Sequence, residues 1–293
     1  MKKDITDLFV FLDDFSKFYK EEEKKHILTP PGKRTYKTRT PCLSLGEILT
    51  IIVLFHTSDI KTFKAYYKLF LPIYKAEFPN LPSYSRFVEL KSRALMPLTI
   101  LHALLCEKSQ KTGLYFIDST PIPVCHNKRI FKHKVFQDIA TRGKSTMGWF
   151  FGLKLHLVIN ERGEMMSACL TPGNVNDRTP VHQIVSRLKG LLFGDKGYIS
   201  QKLFDALYDK GLKLVTGIKK NMKNKLMTLK EKVLLRKRPV IESVNEVLKH
   251  HFQIAHSRHR NPINAFVHIM STLVAYALKP SKPSIKFKNL IPN

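Results

Sequence analysis

The sequence predicts an α/β protein, a mixed sheet flanked by helices and preceded by an all-α N-terminal domain. Three observations predict it. Two apolar runs each end in a single acid, Leu114-Tyr-Phe-Ile-Asp118 and Leu191-Leu-Phe-Gly-Asp195, as buried central strands do. From residue 111 onward strand patterns alternate with helical ones, whereas the periodic stretches before it are helical. A composition that is 43% hydrophobic over 293 residues is enough for a full core. The boundaries expected are a helical domain at 1–110, the α/β domain at 111–280 and a basic tail at 281–293.

In chain order, Ile5, Leu8, Phe9, Leu12, Phe15, Phe18 and Tyr19 recur at helical spacing, which predicts an amphipathic helix from residue 1 to about 27. Thr29–Pro41 is a basic linker with Pro30, Pro31 and Gly32, either a solvated loop or a strap along a phosphate backbone. Ser44 with Glu47 forms a capping box that opens a helix through about His56. Thr62–Leu71 reads as a second helix, and Pro72, Pro79 and Pro82 delimit a connector. Ser83 begins a third helix running toward Cys106, with a break expected at Pro97. Short helices joined by tight turns suit a helix-turn-helix DNA reader and equally any small bundle.

In the second region Leu114–Ile117 is read as a short strand broken by Ser119, Thr120, Pro121 and Pro123, which puts Asp118 at the carboxyl edge of the sheet. A basic loop dotted with aromatics follows at 126–134. Trp149–Asn160 is a long strand, and Glu161-Arg-Gly-Glu164 turns it back into Met165–Leu170. After the loop Thr171–Asp177, Asp177 or Thr179 caps a helix through about Lys189. The Asp195 strand comes next, then a helix capped by Ser200 and stopped by Gly211, then a strand at Lys213–Thr216. Pro239–Phe252 is a two-sided helix, with Val240, Val244, Val247, Leu248 and Phe252 on one side and Arg238, Glu242, Glu246 and Lys249 on the other.

Charge narrows the function. Lys plus Arg is 50 against 23 for Asp plus Glu, a formal net charge of +27, which favours a polyanionic partner and above all nucleic acid. The most basic stretch follows the last strand: Lys219, Lys220, Lys223, Lys225, Arg236 and Lys237 form a phosphate-binding platform, with Glu231 the one acid among them. His250, His251, His256 and His259 are read with Arg258 and Arg260 as a DNA-facing segment rather than a zinc site. No apolar run approaches the roughly 20 residues of a spanning helix, and the N-terminus has no secretory h-region. The four cysteines form no C-x-x-C pair and read as thiols of a reducing compartment, so a cytoplasmic location is expected. There is no Gly-x-Ser-x-Gly elbow and no glycine-rich phosphate loop, which argues against serine-hydrolase chemistry and a nucleotide cofactor.

Two strand-end aspartates meet only when their strands are close in one sheet, and such carboxylates suit Mg²⁺ or Mn²⁺. Taken singly, each is as readily a turn or N-cap residue. The stretch 111–260 resembles the catalytic domain of DDE transposases of bacterial insertion sequences. The pieces that carry the resemblance are Phe116-Ile-Asp118-Ser-Thr120, Thr171-Pro-Gly-Asn-Val-Asn-Asp177, Gly194-Asp195-Lys-Gly-Tyr198 and Arg238-x-x-x-Glu242-x6-Lys249. The last is similar to a Tyr-Arg-Glu-Lys signature, with Leu235 at the tyrosine position.

The resemblance implies a ribonuclease-H-like fold and a catalytic, metal-holding triad of Asp118, Asp195 and Glu242. It gives Arg238 and Lys249 the role of holding DNA phosphates or orienting the acid. It implies two Mg²⁺ or Mn²⁺ ions, and double-stranded DNA, especially terminal inverted repeats, bound by a homodimer in the bacterial nucleoid. The short gap from Asp195 to Glu242 leaves no room for the large β-rich insertion of some relatives. Two metals about 4 Å apart serve phosphodiester cleavage and strand transfer alike. A DNA-binding or nuclease-only protein on the same scaffold is the alternative; the intact acid triad favours the transposase.

Overall fold

The computed structural model describes residues 5–26, 42–146, 148–218, 226–255 and 259–287. The basic linker, Lys219, Lys220, Lys223, Lys225, Arg258 and the end of the tail lie outside the described residues. The chain divides into two compact units: Met1–His102 with His251–Gln253 and Asn261–Tyr276, and Ala103–His250 with Ile254–Arg260 and Ala277–Asn293.

The first unit is helical. α1 (Ile5–His26) is amphipathic and buries Leu8, Leu12 and Phe15. α2 (Leu45–Thr57) starts at the Ser44–Glu47 capping box and is buried from Ile48 to His56, as a helix apolar nearly all round must be. The expected helix at 62–71 is not regular. Thr62 caps α3 (Phe63–Ala65), which passes into a π turn at Tyr66–Phe70 and a 3₁₀ turn at Leu71–Tyr74. The irregularity lets the rings of Phe63, Tyr67 and Phe87 cluster, with centroids 4.9 to 6.2 Å apart.

α4 (Tyr84–Lys91) is capped by Ser83, and the break before α5 (Leu95–Lys108) falls at Ser92–Ala94 rather than at Pro97. Pro97 lies in the first turn of α5, where no intrahelical donor is missed, so the chain breaks before the proline.

The second unit is built on a six-stranded sheet, ordered β2-β3-β1-β5-β6, with β4 also pairing β3. The strands are β1 (Leu114–Cys125), β2 (Thr141–Ser145), β3 (Gly148–Asn160), β4 (Met165–Pro172), β5 (Gly190–Gly194) and β6 (Leu212–Thr216). β1, β5 and β6 run parallel, while β3 is antiparallel to β1, β2 and β4.

β1 corrects the sequence reading. It does not end at Ile117 but continues through Asp118, Pro121 and Pro123, paired with β3 all the way. The prolines are tolerated because β5 pairs β1 only at Leu114–Phe116, so the far edge of β1 is open beyond that point. Their parity fits. The Gly152 carbonyl is turned outward, accepting from Gly173 N–H at 3.0 Å, so Pro123 opposite Gly152 directs its backbone away from β3, and Pro121 does the same.

One face of the sheet packs Tyr115, Ile117, Val158, Leu192 and Leu214 against α6 (Val181–Ile184) and α7 (Gln201–Tyr208). α6 is a single turn, not a helix to Lys189, and neither Asp177 nor Thr179 caps it: Pro180 holds that position, and the Asp177 carboxylate accepts from Lys154 Nζ at 2.7 Å. Ser200 caps α7, and Gly211 closes its exit turn at φ +79°, a conformation that costs a glycine little. α8 (Leu229–Arg236) has its own capping box, Thr228 with Glu231, and the buried Glu231 carboxylate also pairs with Lys213 on β6. α9 (Pro239–Glu246) packs on β1 and runs on as a π turn, Val247–His251, where a continuous α-helix to Phe252 was expected. α10 (Pro262–Ala277) is buried along most of its length and packs with the N-terminal helices. No helix among the described residues is long and apolar enough to cross a membrane.

Candidate active site

The end of β5 creates the site. Phe116 and Phe193 are partners in the parallel ladder, and two rungs further the register sets Asp118 level with Asp195. Neighbouring strands lie about 4.8 Å apart, and alternation puts both acids on the face that carries the stacked rings of Phe116 and Phe193. Asp118 is within β1, beside the place where its pairing partner stops. Asp195 is the first residue after β5; its carboxylate accepts from Gly197 N–H at 2.8 Å and caps a short 3₁₀ turn. The turn-capping role and a place in the acid cluster coexist in one residue.

Burial dominates Asp118 and pushes its carboxyl up to about 6. The carboxylates of Asp195 and Glu242 push in the same direction, while the Arg238 guanidinium and the N–H of Ser119 pull it down. The three acids therefore share one electrostatic field. Glu242 is exposed on the first turn of α9 and is paired with Arg238 one turn earlier.

Lys249 is half-buried, and burial lowers its pKa against the opposing pull of Asp118. Two residues not foreseen complete the surroundings. Asn245, 7% exposed on α9, donates from Nδ2 to Asp118 Oδ2 at 3.0 Å. Tyr198 is 1% exposed, and burial first, then Asp118, Asp177 and Asp195, push its hydroxyl far above the usual tyrosine value. A polar residue set among Ile241, Val244 and Leu248 was the available signal for Asn245.

Of the other cations expected to meet DNA, Arg236 and Lys237 line a groove of about 550 Å³ that also includes Lys286 and Ser243. Arg260 is exposed. Glu246 is exposed too, and the carboxylates that raise Asp118 are Asp195 and Glu242.

Among the described residues no three His, Cys, Asp or Glu side chains are gathered so that together they could hold a metal ion. The donor set nonetheless fits a hard divalent cation. It consists of carboxylate oxygens, and the Oδ1 of Asn245 is buried beside Asp118 with no hydrogen-bond partner. A carboxyl held up to about 6 by burial and by two like charges is one whose ionised form a cation would relieve.

A mixed sheet with flanking helices, preceded by a helical region and holding acids at the end of a central strand, is the setting in which the comparisons fall. The sequence matches the family model described as a transposase DDE domain over residues 108–262, more than half of the chain, and the protein belongs to that family. Its fold is similar to that of a piggyBac transposase seen by cryo-EM in a synaptic complex with hairpin DNA. The TM-score is 0.53 at 9% identity, over 94% of this chain and 74% of that one, a likeness of fold. No curated protein matches the sequence. By family the protein is a transposase.

Proposed function

We propose that this transposase cuts DNA at the ends of a bacterial insertion sequence and joins them to a target by metal-dependent phosphodiester chemistry, with Asp118, Asp195 and Glu242 as its catalytic acids. The observation that carries the reading is that the β1–β5 ladder sets Asp118 level with Asp195, while α9, which bears Glu242 beside Arg238, packs on β1 and reaches Asp118 through Asn245. An ordinary i,i+4 surface pair accounts for Arg238 and Glu242 but not for the influence of each, opposite in sign, on a half-buried strand aspartate.

Divalent cations, Mg²⁺ or Mn²⁺ and two in number, would be held by the three acids and would activate the attacking water or 3′-hydroxyl while stabilising the leaving oxygen. The chain's own groups do the remainder. Burial raises the Asp118 carboxyl, so its ionised form gains from a compensating cation. Arg238 balances Glu242 until a phosphate competes for its guanidinium. Lys249, half-buried, presents a cation toward the same acid. Arg236 and Lys237, with Lys219, Lys220, Lys223, Lys225, Arg258 and Arg260, would extend the phosphate contacts along duplex DNA, with terminal inverted repeats as substrate and a homodimer holding two ends.

The test is incubation of the full-length protein with labelled element ends, with and without Mg²⁺. Cleavage that needs the metal and disappears in Asp118→Asn and Asp195→Asn, with DNA binding kept, supports the reading. Retained cleavage in either variant overturns it.

A further inference from the structure

Asn245 is the one polar side chain on the buried side of α9. Ile241, Val244 and Leu248 around it are fully buried, and Asn245 itself is 7% exposed. Its Nδ2 is satisfied by Asp118 Oδ2 at 3.0 Å. Its Oδ1 is buried without a partner. The large majority of buried amides have both ends hydrogen-bonded, because an orphaned acceptor forfeits its hydration for nothing; Asn264 in the helical unit is another exception, but its amide meets a backbone carbonyl and no acid. In Asn245 one end grips the central acid and the other is left open next to it. The two ends are branches of one planar group, so an oxygen ligand bound at Oδ1 is held in fixed relation to the Asp118 carboxylate.

We propose that Asn245 is a positioning residue of the reaction centre: its amide N–H fixes the rotation of the Asp118 carboxylate, and its Oδ1 receives a hydrated divalent cation at that carboxylate. The inference rests on the metal-dependent reading of the site. It extends that reading to a neutral fourth position, three residues beyond Glu242 on the same helix and therefore on an adjoining face. A neutral oxygen adds a partner for the cation's water without adding a fourth negative charge to a cluster already short of compensation.

The experiment is a titration of the full-length protein with Mn²⁺ alone, reading free Mn²⁺ by electron paramagnetic resonance, for the wild type, Asn245→Leu and Asn245→Ser. Thermal unfolding without metal is measured alongside. The expected result is Mn²⁺ affinity at least about tenfold weaker in both variants, as for other residues that orient ligands. The metal-free Tm of Asn245→Leu stays equal to or above that of the wild type, because an apolar side chain replaces a half-satisfied amide. Cleavage by Asn245→Ser should recover at raised Mn²⁺. A structural role would lower Tm and leave the affinity alone.

Wild-type Mn²⁺ affinity in Asn245→Ser overturns the proposal even if Asn245→Leu does not fold. A wild type that takes up no Mn²⁺ overturns it together with the metal-dependent reading. A wild type that binds Mn²⁺ while the variants bind equally well overturns this inference alone.

Discussion

At the scale of the residue, Asp118 is held where a carboxylate is costly. Its folded value of about 6 exceeds the ordinary 3.8. The unfolded chain therefore gives up this proton at lower pH than the native protein does. Below pH 3.8 both states are protonated and nothing is lost. Between 3.8 and 6 the native state retains a proton that the unfolded state has released, so stability falls as pH rises and then levels off above 6. Asp118→Asn should remove this dependence. The metal-free variant should exceed the wild type by up to about 3 kcal/mol at pH 7, narrowing to nothing near pH 4, in denaturant melts at both pH values.

Glu242 and Glu246 give a second contrast. Both are exposed and one turn apart, but only the first is among the carboxylates that raise Asp118. Glu242→Gln should eliminate metal-dependent cleavage with the fold intact, whereas Glu246→Gln should keep a substantial fraction. The reverse outcome in the same cleavage assay moves the third acid along the helix.

The strand positions of the two aspartates were legible because an apolar run that leads into a single acid is a local pattern. Asn245 was not. Its place among Ile241, Val244 and Leu248 marks it as a buried polar residue, but the partner that gives it meaning lies on a strand more than a hundred positions earlier.

At the scale of the element, hydrogen-bond partners outside an element set its limits. β2, Thr141-Arg-Gly-Lys-Ser145, has no apolar alternation and escaped the sequence reading; it is a strand because β3 supplies its ladder. β1 was read too short because a proline's penalty depends on whether its missing donor faces a neighbour, which the sequence cannot tell.

The same reasoning applies to the end of α9, where the π turn at Val247–His251 adds a residue to the helical repeat, and Lys249, expected on a charged stripe meeting the sheet edge or the solvent, is half-buried and under the influence of Asp118. Capping, in contrast, was readable at Ser44 and Ser200 because the side chain and its target are close neighbours in sequence. The box at Thr228 passed unnoticed within a run dominated by lysine. Thr228→Ala should cost about 1 kcal/mol in a denaturant melt, through the loss of the cap on α8. Glu231→Ala should cost more, since that carboxylate both completes the box and pairs with Lys213.

At the scale of the whole molecule, charge dominates. A net +27 over 293 residues predicts that binding to duplex DNA weakens steeply with salt, with a log–log slope of several units in a fluorescence titration. A slope near zero would mean that few of the cations meet phosphate.

The helical unit has a different sensitivity. His56 is wholly buried, with Nδ1 3.0 Å from the Phe252 carbonyl and Nε2 2.7 Å from the Ser271 hydroxyl, and burial lowers its pKa to about 3. The unfolded chain takes up a proton near 6.5 that the native unit refuses, so stability is complete above that pH and declines as pH falls toward 3. The decline should be about 1.4 kcal/mol per pH unit, and His56→Gln should flatten it in melts between pH 7 and 5. His56 could be read from the sequence as a helix end but not as a core residue, because its partners Phe252 and Ser271 come from the far end of the chain.

The open margin of β1 has a wider consequence. A strand flank with free amides beside a nucleic-acid site invites zippering, and two copies brought together on DNA would meet there at high local concentration. Along this flank Ser119 N–H is taken by Asp118, while Pro121 and Pro123 have none to give. The flank offers no N–H at these positions to a visiting strand that would extend the sheet, so only half of a ladder is on offer. Replacing both prolines with valine would restore the invitation, and the expected result is light scattering that grows with protein concentration while the secondary-structure content of the monomer is kept.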